Sequence, residues 1–524
     1  MKRIISIVLA LVVLSALLIS ADASEAEENS KWVTVPFVTE YTGKTDNKIM
    51  IKWDWNDLLA NASTSGADSD LAIASLVLSS EIEIDKNNIE YALKALGFTD
   101  VLSDYFESGT ENLNAVSQPA RTFAHCELNV NGEVKHIICA VFRGTRTAAD
   151  TSTDIKSVMD GFLEAGQNCA NSLKAYQSSI NGATKDNTIL LLTGHSLGAS
   201  MSSLVACLCD DVAEKSATHT YSMATPNYDT MGLKTEDYQN VHHYINISDA
   251  VPTMPANFDK VGDKIKYNYG SLTDAEKARF DRVYKYLRNT SYDNDDKRVD
   301  TLIGEVRQHM GYTYMSFMLC RMTDEEIDSY IAPFELVKDT AKLKGVEQYA
   351  EGAVKAQAEP CISCTKPNYE FSINKDGNWL TLISDSDTAK FNMLFNGKSY
   401  SVKVRAVKEI NGVTYSGQWS DEQTVKINNL PYKLKAYKPV VKNVRKGNKK
   451  ITVTAKACKL CKKPAYEFAI KKNGKWIKSK TNSKSITFKK LAKKKTYKVK
   501  VRIVKTISGK TYTSKWSANK TVKL

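Results

Sequence analysis

The chain has 524 residues, 42% of them hydrophobic, with 72 basic and 59 acidic side chains and a net charge of +13. That length excludes one ordinary core and implies two to four domains. The charge excludes a uniformly basic protein: residues 431–524 hold 31 Lys and Arg against a single acid, Glu467, while the rest of the chain is net −17.

Lys2 and Arg3 precede an apolar run over residues 4–19, and Ala21-Asp22-Ala23 supplies small residues for a signal peptidase. Residues 1–23 read as a cleaved signal peptide, which predicts a secreted protein; the run is short for the alternative, a retained anchor. No other stretch of about 18 apolar residues occurs. Residues 31–61 carry Trp32, Phe37, Tyr41, Trp53 and Trp55 as packing residues, and helical spacing follows from Asp70 and again over residues 89–96, ended by Gly97. Residues 123–130 and 133–142 alternate around Asn131-Gly132, a two-residue hairpin signal. Placing Val130 opposite Glu133 sets Cys126 and Cys139 diagonally on one face, as two small buried residues rather than a bridge.

The second hairpin strand runs into Phe142-Arg143-Gly144-Thr145. A strand ending in a glycine turn can offer an N–H toward a reacting oxygen, and an oxyanion hole needs two such donors. The candidates are the N–H groups of Thr145 and Leu197. Next comes a strand-like run from residue 187 into Gly194-His195-Ser196-Leu197-Gly198, followed by helical spacing through Leu208. Ser196 thus sits on a strand-to-helix turn between glycines, the nucleophile-elbow pattern, with His195 facing away from the serine. Alone, a G-x-S-x-G pentapeptide is weakly specific.

Strand-like runs over residues 218–224 and 241–246 follow, the second leading to Asp249, a carboxylate placed to orient an imidazole. Residues 256–308 read as a polar excursion in which Thr273 and Glu276 form a capping box for a helix striped with Phe280, Val283, Tyr284 and Leu287. His309 then precedes another helix. Of the seven histidines it alone lies beyond the last strand and after an acid, giving the order Ser196, Asp249, His309.

These stretches together resemble the class 3 lipases, a family of secreted α/β-hydrolases, over roughly residues 45–330. The resemblance implies an α/β-hydrolase domain at 24–335, with Ser196 as nucleophile, Asp249 as orienting acid, His309 as base and Thr145 as oxyanion residue. The implied activity is hydrolysis of lipid carboxylic esters, with no metal or organic cofactor required. A phospholipase or other esterase of the same fold is the alternative, and an inert surface-binding protein a more distant one. The family's Asp-Trp after the oxyanion turn is replaced here by Asp150-Thr151, and residues 146–156 read as short and polar, which argues against interfacial activation.

From Cys361 the chain repeats at a period of 97, with 31 of 67 positions identical between 361–427 and 458–524. Within each repeat Tyr-x-Val-x-Val-Arg alternates strictly, similar to fibronectin type III β-sandwiches. The expected modules are 336–430, with a linker, and the basic 431–524. Two Cys-x-x-Cys pairs, Cys361/Cys364 and Cys458/Cys461, suit a local disulfide in each exported module better than one shared zinc. The basic repeat suggests retention on an anionic cell wall or membrane surface; export argues against nucleic acid as the partner.

Overall fold

A computed structural model describes residues 30–37, 47–63, 66–106, 116–288 and 307–524. The predicted signal peptide, Tyr41 and part of the 256–308 excursion lie outside the described residues. The chain divides into two compact units, one mainly of residues 1–335 and the other mainly of residues 336–524. No helix among the described residues is long and apolar enough to cross a membrane.

In the first unit, β1 (Ser30–Pro36) and β2 (Lys48–Asp54) make an antiparallel ribbon. Two helices follow, α1 (Ser69–Ile84) and α2 (Lys86–Leu96), capped by the Asp68 and Asp85 carboxylates, and Gly97 closes α2 in the left-handed conformation at φ 115°. Seven strands then form one sheet whose spatial order is the chain order. They are β3 (Asp100–Asp104), β4 (Arg121–Val130), β5 (Glu133–Phe142), β6 (Thr188–His195), β7 (Thr218–Met223), β8 (Val241–Asn246) and β9 (Asp263–Tyr267). Pairing is antiparallel from β3 to β5 and parallel from β5 to β9.

The hairpin register is the expected one, with Val130 opposite Glu133. Cys126 and Cys139 are free and buried, paired with Ile137 and Ala124. Both faces of the central strands are covered, so alternate residues enter different cores. Ile137, Cys139 and Val141 pack with α1 and α2; Ile138, Ala140 and Phe142 pack on the opposite face. That second face is covered by α4 (Leu163–Ser179) and α5 (Leu197–Leu208), with α3 (Ala148–Asp160) preceding α4.

The excursion contains a strand that its polar composition hides: β9 is an edge strand, exposed at Asp263 and Lys266 and only half-buried at Lys264 and Ile265. The capping box forms, Thr273 donating to Glu276 Oε2 at 2.8 Å, and opens α6 (Asp274–Arg288). Its stripe is core: Phe280 is buried 4.7 Å from Phe317 of α7 (Gly311–Cys320). Burial of each such ring contributes about 1.5–3 kcal/mol, so this helix packs rather than roofs a pocket. A last helix, α8 (Asp324–Leu336), closes the unit.

The second unit holds two all-β modules of two sheets each. The first pairs Leu343–Ala350, Ala353–Ala358 and Thr388–Phe391 in one sheet, and Asn378–Ser384, Asn368–Lys375, Ser399–Ile410 and Val413–Ser416 in the other. The second repeats this layout from Val441 onward. Each carries the same cation ladder on its surface: Lys403 lies 4.3 Å from Trp379 and 4.7 Å from Trp419, and Lys500 lies 4.1 Å from Trp476 and 4.8 Å from Trp516. Arg405 and Arg502 extend the ladders and pair with Glu370 and Glu467. Glu467, the one acid of the basic repeat, therefore has a local partner in Arg502. The cysteines of each pair touch unbridged, at 3.7 Å for Cys361/Cys364 and 3.6 Å for Cys458/Cys461, and the four do not converge on one site.

Candidate active site

Strand β6 ends at His195 and α5 begins at Leu197, leaving Ser196 alone on the turn at φ 57°, ψ −127°. For a residue with a Cβ this backbone is strained. The flanking glycines make the turn sterically feasible. A Cβ on Gly194 would stand 2.2 Å from the Gly198 carbonyl oxygen, and one on Gly198 would stand 2.1 Å from the Phe142 carbonyl oxygen. Among the described residues nothing accepts a hydrogen bond from the Ser196 hydroxyl. Such contacts often tighten only around bound substrate.

The turn that carries the first oxyanion candidate passes close to the elbow at Gly144. Gly144 runs beside the elbow, where a Cβ would lie 3.0 Å from the His195 carbonyl oxygen and 3.5 Å from Ser196 Cβ. The Leu197 N–H belongs to the first turn of α5, where backbone donors lack intrahelical acceptors. Thr145 donates its hydroxyl to Asp154 Oδ2 at 2.6 Å, and burial raises the Asp154 carboxyl to about 6. The turn itself is pinned from below. Arg143 is buried and donates to Asp150 Oδ2 at 3.0 Å, and the same oxygen accepts the N–H groups of Arg146 and Thr147 at 3.0 and 2.8 Å. Asp150, the residue before the departing Thr151, thus anchors the turn that follows β5.

Asp249 follows β8 and is buried. Its Oδ1 accepts from the Val251 N–H at 3.0 Å, and its Oδ2 accepts both His309 Nδ1 and the Tyr314 hydroxyl at 2.8 Å. This fixes the proton of His309 on Nδ1 and leaves Nε2 as the basic nitrogen. The backbone beside His309 is tied to β8 through Asn246 Nδ2, which donates to the Gln308 carbonyl at 3.0 Å. Lys260, buried and drawn down to about 8 by that burial, donates to the Pro252 carbonyl at 2.6 Å and holds the turn after Asp249. His219 and His243 are buried in strands and pushed down by desolvation to about 4 and about 3, as neutral packing residues.

His195 does turn away from the serine, yet it is not idle. Its Nδ1 meets Glu83 Oε1 at 2.7 Å, its Nε2 meets the His309 carbonyl oxygen at 2.6 Å, and its ring centroid lies 4.6 Å from that of His309. Both nitrogens face acceptors, so both carry hydrogen and the ring is cationic. Burial works against that charge, but the Glu83 carboxylate outweighs it and holds the pKa above the ordinary value. A raised folded-state pKa contributes stability that is full below the unfolded value of about 6.5 and is lost as pH rises through the folded value. Glu83→Gln should therefore lower the urea midpoint most at pH 6, the gap to wild type narrowing toward alkaline pH. An equal gap at both ends of the range would contradict the charged pair.

Residues 133–258 match the family model for Lipase (class 3). No curated protein sequence matches the chain. Among solved structures, the chicken CNTN1 FN1–FN3 domains are similar over 36% of this chain and 68% of theirs, at 12% identity and a TM-score of 0.25.

Proposed function

We propose, from the match of residues 133–258 to the class 3 lipase family model, that this protein is a serine hydrolase acting on carboxylic esters of lipids. The family supports a lipid ester hydrolase in general. The observation that carries the serine mechanism is the chain of hydrogen bonds from Tyr314 through Asp249 to His309 beside the strained Ser196 turn.

In this reading His309 Nε2 takes the Ser196 proton as the oxygen attacks the ester carbonyl. The carbonyl oxygen becomes an oxyanion held by the Thr145 and Leu197 N–H groups, and Asp249 stabilises the imidazolium. His309 then gives its proton to the departing alcohol, leaving an acyl group on Ser196. Water, deprotonated by the same nitrogen, releases the acid and restores the serine.

A lipid substrate is favoured by α3. The segment after the oxyanion turn is longer than residues 146–156, and its later part is apolar: Ile155, Val158 and Met159 are 69%, 56% and 85% exposed. Their i, i+3, i+4 spacing puts them on one helix face. An exposed apolar face of this kind suits a lipid surface, which revises the expectation drawn from the polar start of the segment. Ile155→Ser, Val158→Ser and Met159→Gln together should lower hydrolysis of an emulsified triacylglycerol by at least tenfold, with a monomeric p-nitrophenyl ester affected little. Equal losses on both substrates would count against an interfacial role.

A further inference from the structure

A second cluster of chemistry lies at the other end of the central sheet. His136 opens the core-facing part of β5, opposite Glu127 of β4, with His125 diagonal to it on the same face. The two imidazoles are buried and stacked, with centroids 5.3 Å apart. His125 Nε2 stands 3.1 Å from His136 Nδ1, and Glu127 Oε1 lies 3.8 Å from the same Nδ1.

The outer nitrogens decide what the inner ones can be. His125 Nδ1 faces Asp100 Oδ2 at 3.5 Å, and His136 bonds to the backbone of Gly182 beside its Nε2. If each outer nitrogen donates its hydrogen to that acceptor, the two inner nitrogens present lone pairs to one another at hydrogen-bond distance. Two facing lone pairs repel, and the arrangement calls for a cation between them. A neutral pair with a hydrogen on His125 Nε2 would turn a bare Nδ1 toward the Asp100 carboxylate.

We infer that His125, His136 and Glu127 form a binding site for a divalent transition-metal ion of the zinc type. The donor set is two imidazoles and a carboxylate, all with ligand atoms within 4.8 Å of one another, a set suited to zinc with water in the fourth position. Two nitrogens about 2.05 Å from one tetrahedral ion stand about 3.3 Å apart, close to the 3.1 Å found here. Asp100 and Gly182 are the outer partners that orient ligating histidines. Glu127 is the exposed member and provides the way in. The site lies at the start of β5 and the oxyanion turn at its end, six residues away at about 3.3 Å per residue, or roughly 20 Å. The ion therefore serves the hairpin and its packing against the segment around Gly182, not the ester chemistry.

Cobalt(II) is the probe, because its visible absorption reports coordination. The full chain would carry Cys361→Ser, Cys364→Ser, Cys458→Ser and Cys461→Ser, so that the paired thiols cannot supply ligands. The expected result is about one equivalent of cobalt with a visible band of nitrogen and oxygen ligation, displaced by zinc, its affinity at least tenfold weaker in Glu127→Gln and absent in His136→Gln. Glu127→Gln changes an exposed side chain and keeps the test readable should the buried His136→Gln fail to fold. Absence of a band in the parent protein, or a band that Glu127→Gln leaves unchanged, would overturn the assignment.

Discussion

Asp249→Asn is expected to lower kcat for a short p-nitrophenyl ester by about 10⁴-fold with the fold intact. The reason lies in which oxygen does what. Oδ1 accepts from the Val251 N–H, a donor that an amide must still meet with its oxygen, so the new NH2 group falls where Oδ2 now receives His309 and Tyr314. A donor at that point faces His309 Nδ1 and drives its proton to Nε2. That tautomer cannot take the Ser196 proton. Tyr314→Phe is the matching control: it removes one of the two donors to Oδ2 but leaves the tautomer correct, and should cost about ten- to a hundredfold, in line with a single lost hydrogen bond to a charged group.

Ser196→Ala should be at least as severe, with kcat/KM falling by about 10⁴ to 10⁶-fold, because groups that act as one unit fail together. Combining it with Asp249→Asn should add little. The check is a steady-state assay of the two single variants and the double variant, with circular dichroism to show that each is folded. Strictly additive losses would mean that the two residues do not act on one step.

What could be read in advance was whatever obeys a local rule. Asn131-Gly132 announces its hairpin because both residues adopt positive φ, 54° and 90°. Gly194 and Gly198 announce the elbow because no other residue fits against the neighbouring carbonyls. Asp249 and His309 became legible once a serine elbow was in place to give their order meaning.

What escaped the sequence depends on contacts between distant segments. Glu83 meets His195 from 112 residues away, and Tyr314 reaches Asp249 across 65; nothing in either neighbourhood marks them. The role of Asp150 is invisible until the Arg143 guanidinium is seen buried against it. Strand β9 was hidden because an edge strand buries little and can be rich in lysine. The apolar face of α3 was missed for a related reason: Ile155, Val158 and Met159 make one face only when wound on a helix, and in the linear sequence they lie among polar residues.

The central claim, that Ser196 is a nucleophile activated by His309 and Asp249, is tested most directly by a fluorophosphonate ester, which reacts with an activated serine and little else. Treatment of the full chain followed by peptide mass spectrometry should place a single phosphonyl group on Ser196. Labelling should be absent in Ser196→Ala and far slower in Asp249→Asn. A chain that stays unlabelled, or takes the group elsewhere while Ser196→Ala keeps its esterase activity, would contradict the account.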